Sequence, residues 1–310
     1  MPSVLYTGRS SRNARRVRDM TDSPRFAVGG ALFGRTEVED IAMIARHGFP
    51  GFEPYRGQLM NWLERPLDLK RVLDDHGVRL ITCSNGGPNQ SVEFIDPTAR
   101  QKTIDDHVAF ARDFLAVFGC THFKINMGRR PDHATTADEL ASICGTLNAL
   151  GRRVKEELDI SLGAHAHIWG PVERPGEIDA IMAGTDPRYV WFLPDTAQIN
   201  LGSGDPVAIV RRYYDRVIAV HFKDSRPQYR GWTGATPTQE QHRERILYQD
   251  LGSGGVDHET IYADLLKAGY SGWITLDLDP PRANEGEGSP EDKLLINKRY
   301  LTDVLKVARL

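Results

Sequence analysis

The sequence predicts a (β/α)8 TIM barrel, in which eight parallel strands form a closed ring inside a layer of helices. Three observations carry this prediction. Short apolar runs alternate with helical patterns eight times, the crossovers between the runs are long enough for parallel pairing, and His, Asp or Glu stands where several runs end. In this fold, active sites lie at the carboxyl ends of the strands. Those polar residues are therefore the first candidates for function.

A doubly wound open sheet is the alternative fold. Such a sheet would be expected to carry a glycine-rich phosphate-binding fingerprint after an early strand. Gly29-Gly30 lies in the first apolar run, but no GxGxxG spacing follows it. The barrel is therefore the better prediction.

The predicted elements follow one another in a regular order. We expect helices to end where glycines follow a helical pattern, as Gly48, Gly77 and Gly119 do. Strands are predicted at residues 26–33, 51–53, 78–83, 121–126, 160–167, 189–195, 217–221 and 273–278. Helices are predicted at about residues 38–47, 67–76, 96–118, 136–158, 176–182, 205–214, 258–267 and 290–310.

Residues 25–310 are expected to form a single TIM-barrel domain, because barrels of about 250 residues or more commonly make one domain. A polar insertion at about 225–249 interrupts it. Residues 1–24 are rich in arginine and serine and lack an apolar segment, so they are predicted to be a flexible basic extension. A phosphate-binding or partner-binding arm is the alternative for this segment.

Composition excludes several classes of protein. The 39 basic and 42 acidic residues give a net charge of −3, which offers no broad positive field for a nucleic acid. No apolar run approaches the roughly 18 residues of a membrane span. The three cysteines have no CxxC spacing, so a reducing cytoplasm is the expected compartment.

Imidazoles and carboxylates are predicted to meet at the barrel mouth. Burying such a cluster is costly unless the charges are paired or bind a cation. A mixed nitrogen and oxygen set suits Mn²⁺, Co²⁺, Zn²⁺ or Fe²⁺ better than Ca²⁺ or Mg²⁺. For each residue taken alone, a hydrogen-bonded core position is the alternative. The predicted metal ligands are His165, Asp195, His221 and Asp277.

The remaining strand ends supply candidate catalytic groups. His167 and Glu53 are candidate general bases, although an ion pair with Arg56 is the alternative for Glu53. Lys223 is a candidate for stabilising an oxyanion, with an ion pair to Asp224 or a neighbouring loop acid as its alternative. Lys124, at the end of the fourth strand, is a predicted substrate contact.

The insertion is either an active-site lid or a disordered excursion. Trp169 and Trp232 are predicted to stack on a sugar or cyclitol face, with plain packing as the alternative. Arg226 is a further predicted substrate contact. The glycine-rich segment at 251–257 is a weak candidate for holding an anion with its backbone amides.

Several of these motifs, in this order, resemble a known superfamily. They are Ala164-His165-Ala166-His167, Asp195-Thr196-Ala197-Gln198, His221-Phe222-Lys223-Asp224, Gly252-Ser253-Gly254-Gly255-Val256-Asp257 and Gly272-Trp273-Ile274-Thr275-Leu276-Asp277. The pattern is similar to the sugar phosphate isomerase/epimerase superfamily of xylose isomerase-like barrels, and within it to inosose dehydratases. The resemblance extends from about residue 25 to the C-terminus.

The resemblance implies a (β/α)8 fold and a divalent metal, most often Mn²⁺ or Co²⁺, with Asp195 and His221 as ligands. Asp277 stands where the family has Glu, and Gln198 stands where it has the His of a DTGH segment. Glutamine cannot take a proton near neutral pH, so this chain either assigns proton transfer to His165 or His167 or performs a different reaction. Gln198 is then a predicted substrate contact.

The function expected from the resemblance is a metal-dependent lyase that acts on a keto-sugar or keto-cyclitol by removing the proton next to the carbonyl group. A sugar isomerase or epimerase is one alternative, and a subunit that cleaves C-glycosides or 3-keto-glycosides is another. A barrel that has become a binding or partner subunit is the non-enzyme alternative. The expected partners are a small-molecule substrate and either a second copy of the chain or a second subunit.

Overall fold

The computed structural model describes residues 23–30, 36–281, 286 and 288–310. The basic extension predicted at residues 1–24 lies outside these residues except for Ser23 and Pro24. Eight strands of the described residues line the barrel. They are β1 (Arg25–Gly30), β2 (Gly51–Glu53), β3 (Arg79–Leu80), β4 (His122–Asn126), β5 (Ser161–His165), β6 (Val190–Phe192), β7 (Ala219–Phe222) and β10 (Trp273–Leu278).

The strands form two parallel sheets that together close the ring. One sheet has the order β3-β2-β1-β10-β7 and the other the order β4-β5-β6. Parallel backbone bridges between Ser84 and Lys124, and between Phe192 and Val217, join the two sheets at both seams. The predicted (β/α)8 barrel is confirmed.

The described residues contain ten α-helices, eight of which match predicted ones. The helices are α1 (Glu37–Arg46), α2 (Pro66–His76), α3 (Arg100–Asp113), α4 (Ala137–Leu158), α5 (Pro175–Gly184), α6 (Thr196–Leu201), α7 (Pro206–Arg212), α8 (Gln239–Glu244), α9 (His258–Lys267) and α10 (Pro290–Arg299). Helices α6 and α8 are the two additional ones. None of the helices in the described ranges has the length and apolar character needed to cross a membrane.

Two helix boundaries differ from the prediction for local reasons. Helix α3 begins at Arg100 instead of 96, because the Asp96 side chain accepts hydrogen bonds from the backbone N–H and hydroxyl of Thr98, at 2.8 and 2.7 Å, and closes a turn. The last helix ends at Arg299, and a single π-helical turn, Tyr300–Val304, follows it.

A close approach of the strands positions the site. A Cβ added to Gly29 would lie 2.9 Å from the carbonyl oxygen of Glu53 and 2.9 Å from Cγ2 of Thr275. Only glycine therefore fits on β1 between these two neighbours. Their side chains meet beneath the barrel mouth, where Thr275 Oγ1 donates a 2.6 Å hydrogen bond to Glu53 Oε2.

The insertion at 225–249 is a folded element in the structure. Strands β8 (Asp224–Ser225) and β9 (Tyr248–Gln249) pair antiparallel at its base, and helix α8 lies within it. Its buried side chains Tyr229, Ile246, Leu247 and Tyr248 pack against Ile168, Ala197 and Leu201 of the barrel. The prediction of a disordered excursion is therefore wrong, since this apolar cluster fixes the insertion on the barrel.

Candidate active site

The carboxyl ends of the strands bring charged side chains from both sheets together. All of them are at most 5% exposed, so their charges act on one another with little screening by water. The cluster consists of Glu53, Lys124, His165, Asp195, His221, Lys223 and Asp277.

His221 on β7 lies between three carboxylates. Its Nε2 is 2.8 Å from Glu53 Oε1, and its Nδ1 is 3.0 Å from Asp277 Oδ2 and 3.6 Å from Asp195 Oδ2. Burial opposes protonation of the ring, but the charge of Glu53 and the neighbouring carboxylates of Asp195 and Asp277 raise the pKa of His221 to about 10. The ring is therefore an imidazolium unless another cation takes the place of its proton.

Glu53 lies beneath His221. Its Oε1 is also 3.0 Å from Lys124 Nζ, and its Oε2 accepts the hydrogen bond from Thr275. Although burial opposes ionisation, His221 and Lys124 hold the pKa of Glu53 well below its usual range. The predicted general-base role does not fit this position, because a carboxylate of low pKa with both oxygens bonded is a poor proton acceptor. The alternative pair with Arg56 is not formed either, since that guanidinium donates to backbone carbonyls.

His165 at the end of β5 is held as a neutral imidazole. Its Nδ1 lies 2.9 Å from the side-chain oxygen of Asn126, and burial lowers the pKa of His165 to about 3. Its Nε2 is buried, has no hydrogen-bond partner among the described residues and lies 3.8 Å from Asp195 Oδ2.

Asp195 follows β6 and uses its two oxygens differently. Oδ1 accepts a 3.0 Å hydrogen bond from the backbone N–H of Gln198 and so caps helix α6. Oδ2 is buried without a hydrogen-bond partner in the described part of the chain. Although burial opposes its charge, His165 and His221 hold the pKa of Asp195 well below its usual range.

The donor set fits a divalent transition metal ion. Ligand atoms of His165, Asp195 and His221 all lie within 4.8 Å of one another. Two of these residues present buried polar atoms that form no hydrogen bond with any described residue, which is costly unless something else satisfies them. Two imidazoles and a carboxylate are ligands that Zn²⁺, Co²⁺, Mn²⁺ and Fe²⁺ accept.

Asp277 and Lys223 lie next to these three candidate ligands and form an ion pair with each other. The Lys223 ammonium lies 3.2 Å from Asp277 Oδ1 and 2.8 Å from Asp279 Oδ2, and 4.2 Å from the ring centre of Tyr248. Burial opposes its charge, but the two aspartates raise the pKa of Lys223 well above its ordinary value. Lys223 is therefore committed to holding Asp277. Asp224, the alternative partner predicted for Lys223, instead accepts hydrogen bonds from backbone N–H groups of the glycine-rich segment at 251–257.

A cavity of about 550 Å³ opens above the cluster. Its walls include Lys124, His165, His167, Trp169 and Asp277. His167 has a defined tautomer, because its Nδ1 lies 2.5 Å from the carbonyl oxygen of Ile168 and a carbonyl can only accept. Burial lowers the pKa of His167, so its Nε2 is unprotonated at neutral pH.

A family model described as a xylose isomerase-like TIM barrel matches residues 41–299. The chain belongs to this family. It is 32% identical over 173 residues to an inosose dehydratase of Bacillus velezensis, a match that covers 54% of this chain and 55% of that protein. An inosose dehydratase of Lacticaseibacillus casei is 31% identical over 183 residues, with coverage of 56% and 57%. The matches thus span about half the length of these curated relatives.

Solved structures of low identity share the fold of this xylose isomerase-like barrel. The IOLI protein, solved with a bound zinc atom, superimposes with a TM-score of 0.72 at 14% identity, covering 91% of this chain and 98% of that one. The 3-keto-D-glucoside 4-epimerase YcjR from E. coli gives a TM-score of 0.66 at 15% identity, covering 89% and 100%. At such identity the likeness shows the fold alone.

Gln198 and Trp169 connect this barrel to its insertion. Gln198 accepts a hydrogen bond from the backbone N–H of Ile168 at 3.2 Å and donates to the Tyr248 hydroxyl at 2.9 Å. It does not line the cavity, so the substrate contact predicted for it has no support here. Trp169 does line the cavity, and its indole N–H donates to the carbonyl of Pro237 in the insertion at 2.8 Å.

Trp232 and Arg226, two further predicted substrate contacts, do not line the cavity either. Trp232 packs edge-on against Tyr229 with the ring centres 5.2 Å apart. Arg226 is buried and donates from Nε to the carbonyl of Ile246. Both side chains stabilise the insertion itself.

The glycine-rich segment predicted as an anion site binds a carboxylate of the protein itself, that of Asp224. The backbone N–H groups of Gly252 and Gly254 donate to Asp224 Oδ2 at 3.0 and 3.1 Å, and that of Val256 donates to Oδ1 at 3.0 Å. The loop therefore binds the carboxylate of Asp224, which leaves these amides no capacity for a ligand.

Three neutral residues of the site were not predicted. Tyr55 lines the cavity, Asn126 lines it and contacts His165, and Thr275 holds Glu53. Burial raises the pKa of the Tyr55 phenol well above its ordinary value, so it stays protonated. For Tyr55 a signal was available, since it follows Glu53 at a strand end. Asn126 and Thr275 carry no charge and offered no comparable signal.

Proposed function

We propose that this barrel is a metal-dependent lyase of carbohydrate or cyclitol metabolism, which removes a proton next to a ketone and eliminates water. The observation that carries the proposal is the group formed by His165 Nε2, Asp195 Oδ2 and His221 Nδ1, three buried atoms of which the first two have no hydrogen-bond partner among the described residues. His165 also lines the substrate-sized cavity. The relatives named inosose dehydratase support the choice of reaction.

The residues that would hold the ion are His165, Asp195 and His221, with Asp277 as a fourth candidate because its Oδ2 lies 3.0 Å from the same His221 nitrogen. A divalent ion bound there supplies Lewis acidity that polarises a ketone and its neighbouring hydroxyl group. Mn²⁺ and Co²⁺ are our first choices. Zinc is the next, since the IOLI protein with the same fold holds it.

His167 is the proposed general base. Its Nε2 lacks a proton and its ring borders the cavity, so it accepts the proton of the carbon next to the ketone. The electron pair of that C–H bond forms a carbon–carbon double bond, and the bond from the neighbouring carbon to its hydroxyl oxygen breaks. The departing oxygen takes up the proton that His167 accepted, so the products are an unsaturated ketone and water.

Lys124 and the insertion complete the proposed site. The Lys124 ammonium borders the cavity and favours negative charge developing on the ketone oxygen, a role the sequence had suggested for Lys223. Gln239 of the insertion also lines the cavity, and the Trp169 bond to Pro237 fastens the insertion there. The insertion thereby limits the access of water to the reacting carbon.

Deuterium exchange tests the reaction. Protein loaded with Mn²⁺ or Co²⁺ is incubated in D₂O with 2-keto-myo-inositol and, separately, with a 3-keto-glucoside. We expect deuterium next to the ketone together with loss of one water from the substrate. Deuterium entry with inverted stereochemistry and no loss of water would identify an epimerase instead. No exchange with either ketone would contradict the proposal.

Two substitutions with matched controls assign the roles. His167→Ala should abolish exchange, whereas His133→Ala, at an exposed histidine paired with Glu139, should leave it unchanged. Asp195→Ala should lose both exchange and bound metal. Asp205→Ala removes an aspartate that also caps a helix but lies outside the site, so it should lose neither. Equal metal retention in the two aspartate variants would contradict the metal site.

A further inference from the structure

A directional chain of hydrogen bonds leads from helix α3 to His165. The backbone carbonyl of Thr103 lies 2.7 Å from His107 Nδ1, and His107 Nε2 lies 2.9 Å from Asn85 Nδ2. Because a carbonyl can only accept, His107 carries its proton on Nδ1 and accepts with Nε2. The amide nitrogen of Asn85 is therefore the donor to His107.

Asn85 in turn holds Asn126 through the backbone of that residue. Its Nδ2 also donates to the carbonyl of Asn126 at 2.9 Å, and its Oδ1 accepts from the backbone N–H of Asn126 at 2.7 Å. Two bonds from one amide fix the position of the Asn126 backbone at the end of β4. His107 is fully buried and Asn85 is 6% exposed, so water does not compete strongly for these bonds.

The chain ends at the buried ring of His165. The side-chain oxygen of Asn126 lies 2.9 Å from Nδ1, which places the ring proton on that nitrogen. In a neutral imidazole the other nitrogen then has a free lone pair. That nitrogen, Nε2, is the buried atom that has no hydrogen-bond partner in the described residues and faces Asp195.

We propose that Asn126 is a positioning residue that fixes the tautomer of His165, so that Nε2 presents its lone pair toward Asp195. This inference rests on the proposed metal-dependent function, for which that lone pair is a ligand. Loss of such a hydrogen bond, between a metal-binding histidine and its partner, typically lowers metal affinity by roughly 10- to 100-fold. A neutral amide serves here because it accepts a hydrogen bond from the ring N–H without adding another charge to a buried cluster whose charges are already paired.

Two variants separate this role from a structural one. Asn126→Ala removes the side-chain oxygen but keeps the backbone groups that bond Asn85, so the rest of the chain of bonds is expected to persist. Asn126→Asp restores an acceptor at the same place. Zinc affinity is measured by competition with a chromophoric chelator, and the tautomer of His165 in metal-free protein by ¹⁵N NMR, with His165→Gln used to assign the signals.

We expect the Asn126→Ala variant to bind zinc about 10- to 100-fold more weakly and to show a mixture of tautomers, with the wild-type affinity or better restored in Asn126→Asp. Wild-type affinity together with an unchanged Nδ1–H tautomer in the alanine variant would overturn the inference. If wild-type protein binds no zinc, the metal-dependent function fails. The NMR result then decides the inference alone, and an Nε2–H tautomer in the wild type overturns it.

Discussion

The two candidate histidine ligands are supported in opposite ways by the two sheets of the barrel. His221, on the five-stranded sheet, is bonded to the carboxylate of Glu53, and its pKa is raised to about 10. His165, on the three-stranded sheet, is bonded to the neutral amide of Asn126, and burial lowers its pKa to about 3. The His221 ring is thus held mainly by ion pairs, whereas the orientation of the His165 ring is set by a hydrogen bond to a neutral group.

This difference tells which side determines stability and which determines ligand geometry. Removing one partner of a buried ion pair leaves an uncompensated charge, which costs far more than the loss of a neutral hydrogen bond. We therefore expect substitutions on the Glu53 side to destabilise the fold, and those on the Asn126 side to change metal affinity with little effect on the free energy of unfolding.

Glu53→Gln should have the largest effect. It leaves the imidazolium of His221 and the ammonium of Lys124 without their shared carboxylate, which should cost about 3–5 kcal/mol in the free energy of unfolding. Urea denaturation of metal-free protein measures it. Glu157→Gln is the control, since that glutamate bonds Arg112 and Arg153 on the surface, where water screens such pairs and their loss has little effect on stability. An equal loss in the free energy of unfolding for the two variants would contradict the charge stabilisation proposed for the His221 side of the site.

Thr275→Val should have an intermediate effect. It removes the hydroxyl that donates to Glu53 Oε2 at 2.6 Å while keeping the shape of the side chain. A hydrogen bond to a buried charge is worth about 1.5–3 kcal/mol, so the variant should be destabilised by that amount. Thr135→Val removes a half-buried hydroxyl whose hydrogen bond goes to the neutral backbone carbonyl of Pro171 at 2.7 Å, and it should cost only about 1 kcal/mol. A larger loss in the Thr135 variant would contradict the charge-based account.

The pH dependence of stability should show the most specific difference. The raised pKa of His221 contributes stability that is fully present below its ordinary value of about 6.5 and is lost as the pH rises toward 10. The lowered pKa of His165 has the opposite sign, because its contribution is present above about 6.5 and is lost as the pH falls toward 3. Each changes the free energy of unfolding by at most about 1.4 kcal/mol per pH unit.

Urea midpoints of metal-free protein at pH 5, 7 and 9 test these signs. His221→Asn should reduce the loss of stability between pH 7 and 9, whereas His165→Asn should reduce the loss between pH 7 and 5. Parallel curves for the two variants would show that the two sheets do not hold their histidines differently.

The barrel and its charged strand ends are predictable from the sequence, because strands and crossovers repeat eight times and the fold places strand ends together. The depth at which a side chain lies along its strand cannot be predicted from the sequence in the same way. Tyr55 lines the cavity, whereas the neighbouring Glu53 lies beneath it, where it packs against Gly29 and Thr275. Nothing in the sequence pairs Asn85 with Asn126, since the two lie on different strand ends and carry no charge.

In the proposed site, His165 and His221 come from opposite sheets and bind one metal ion. X-ray absorption spectroscopy of Co²⁺-loaded protein tests this arrangement. We expect one ion per chain with two imidazole ligands and carboxylate oxygen in the wild type, and a single imidazole in the His165→Asn variant. A cobalt spectrum that contains no imidazole, or that His165→Asn leaves unchanged, would contradict this arrangement.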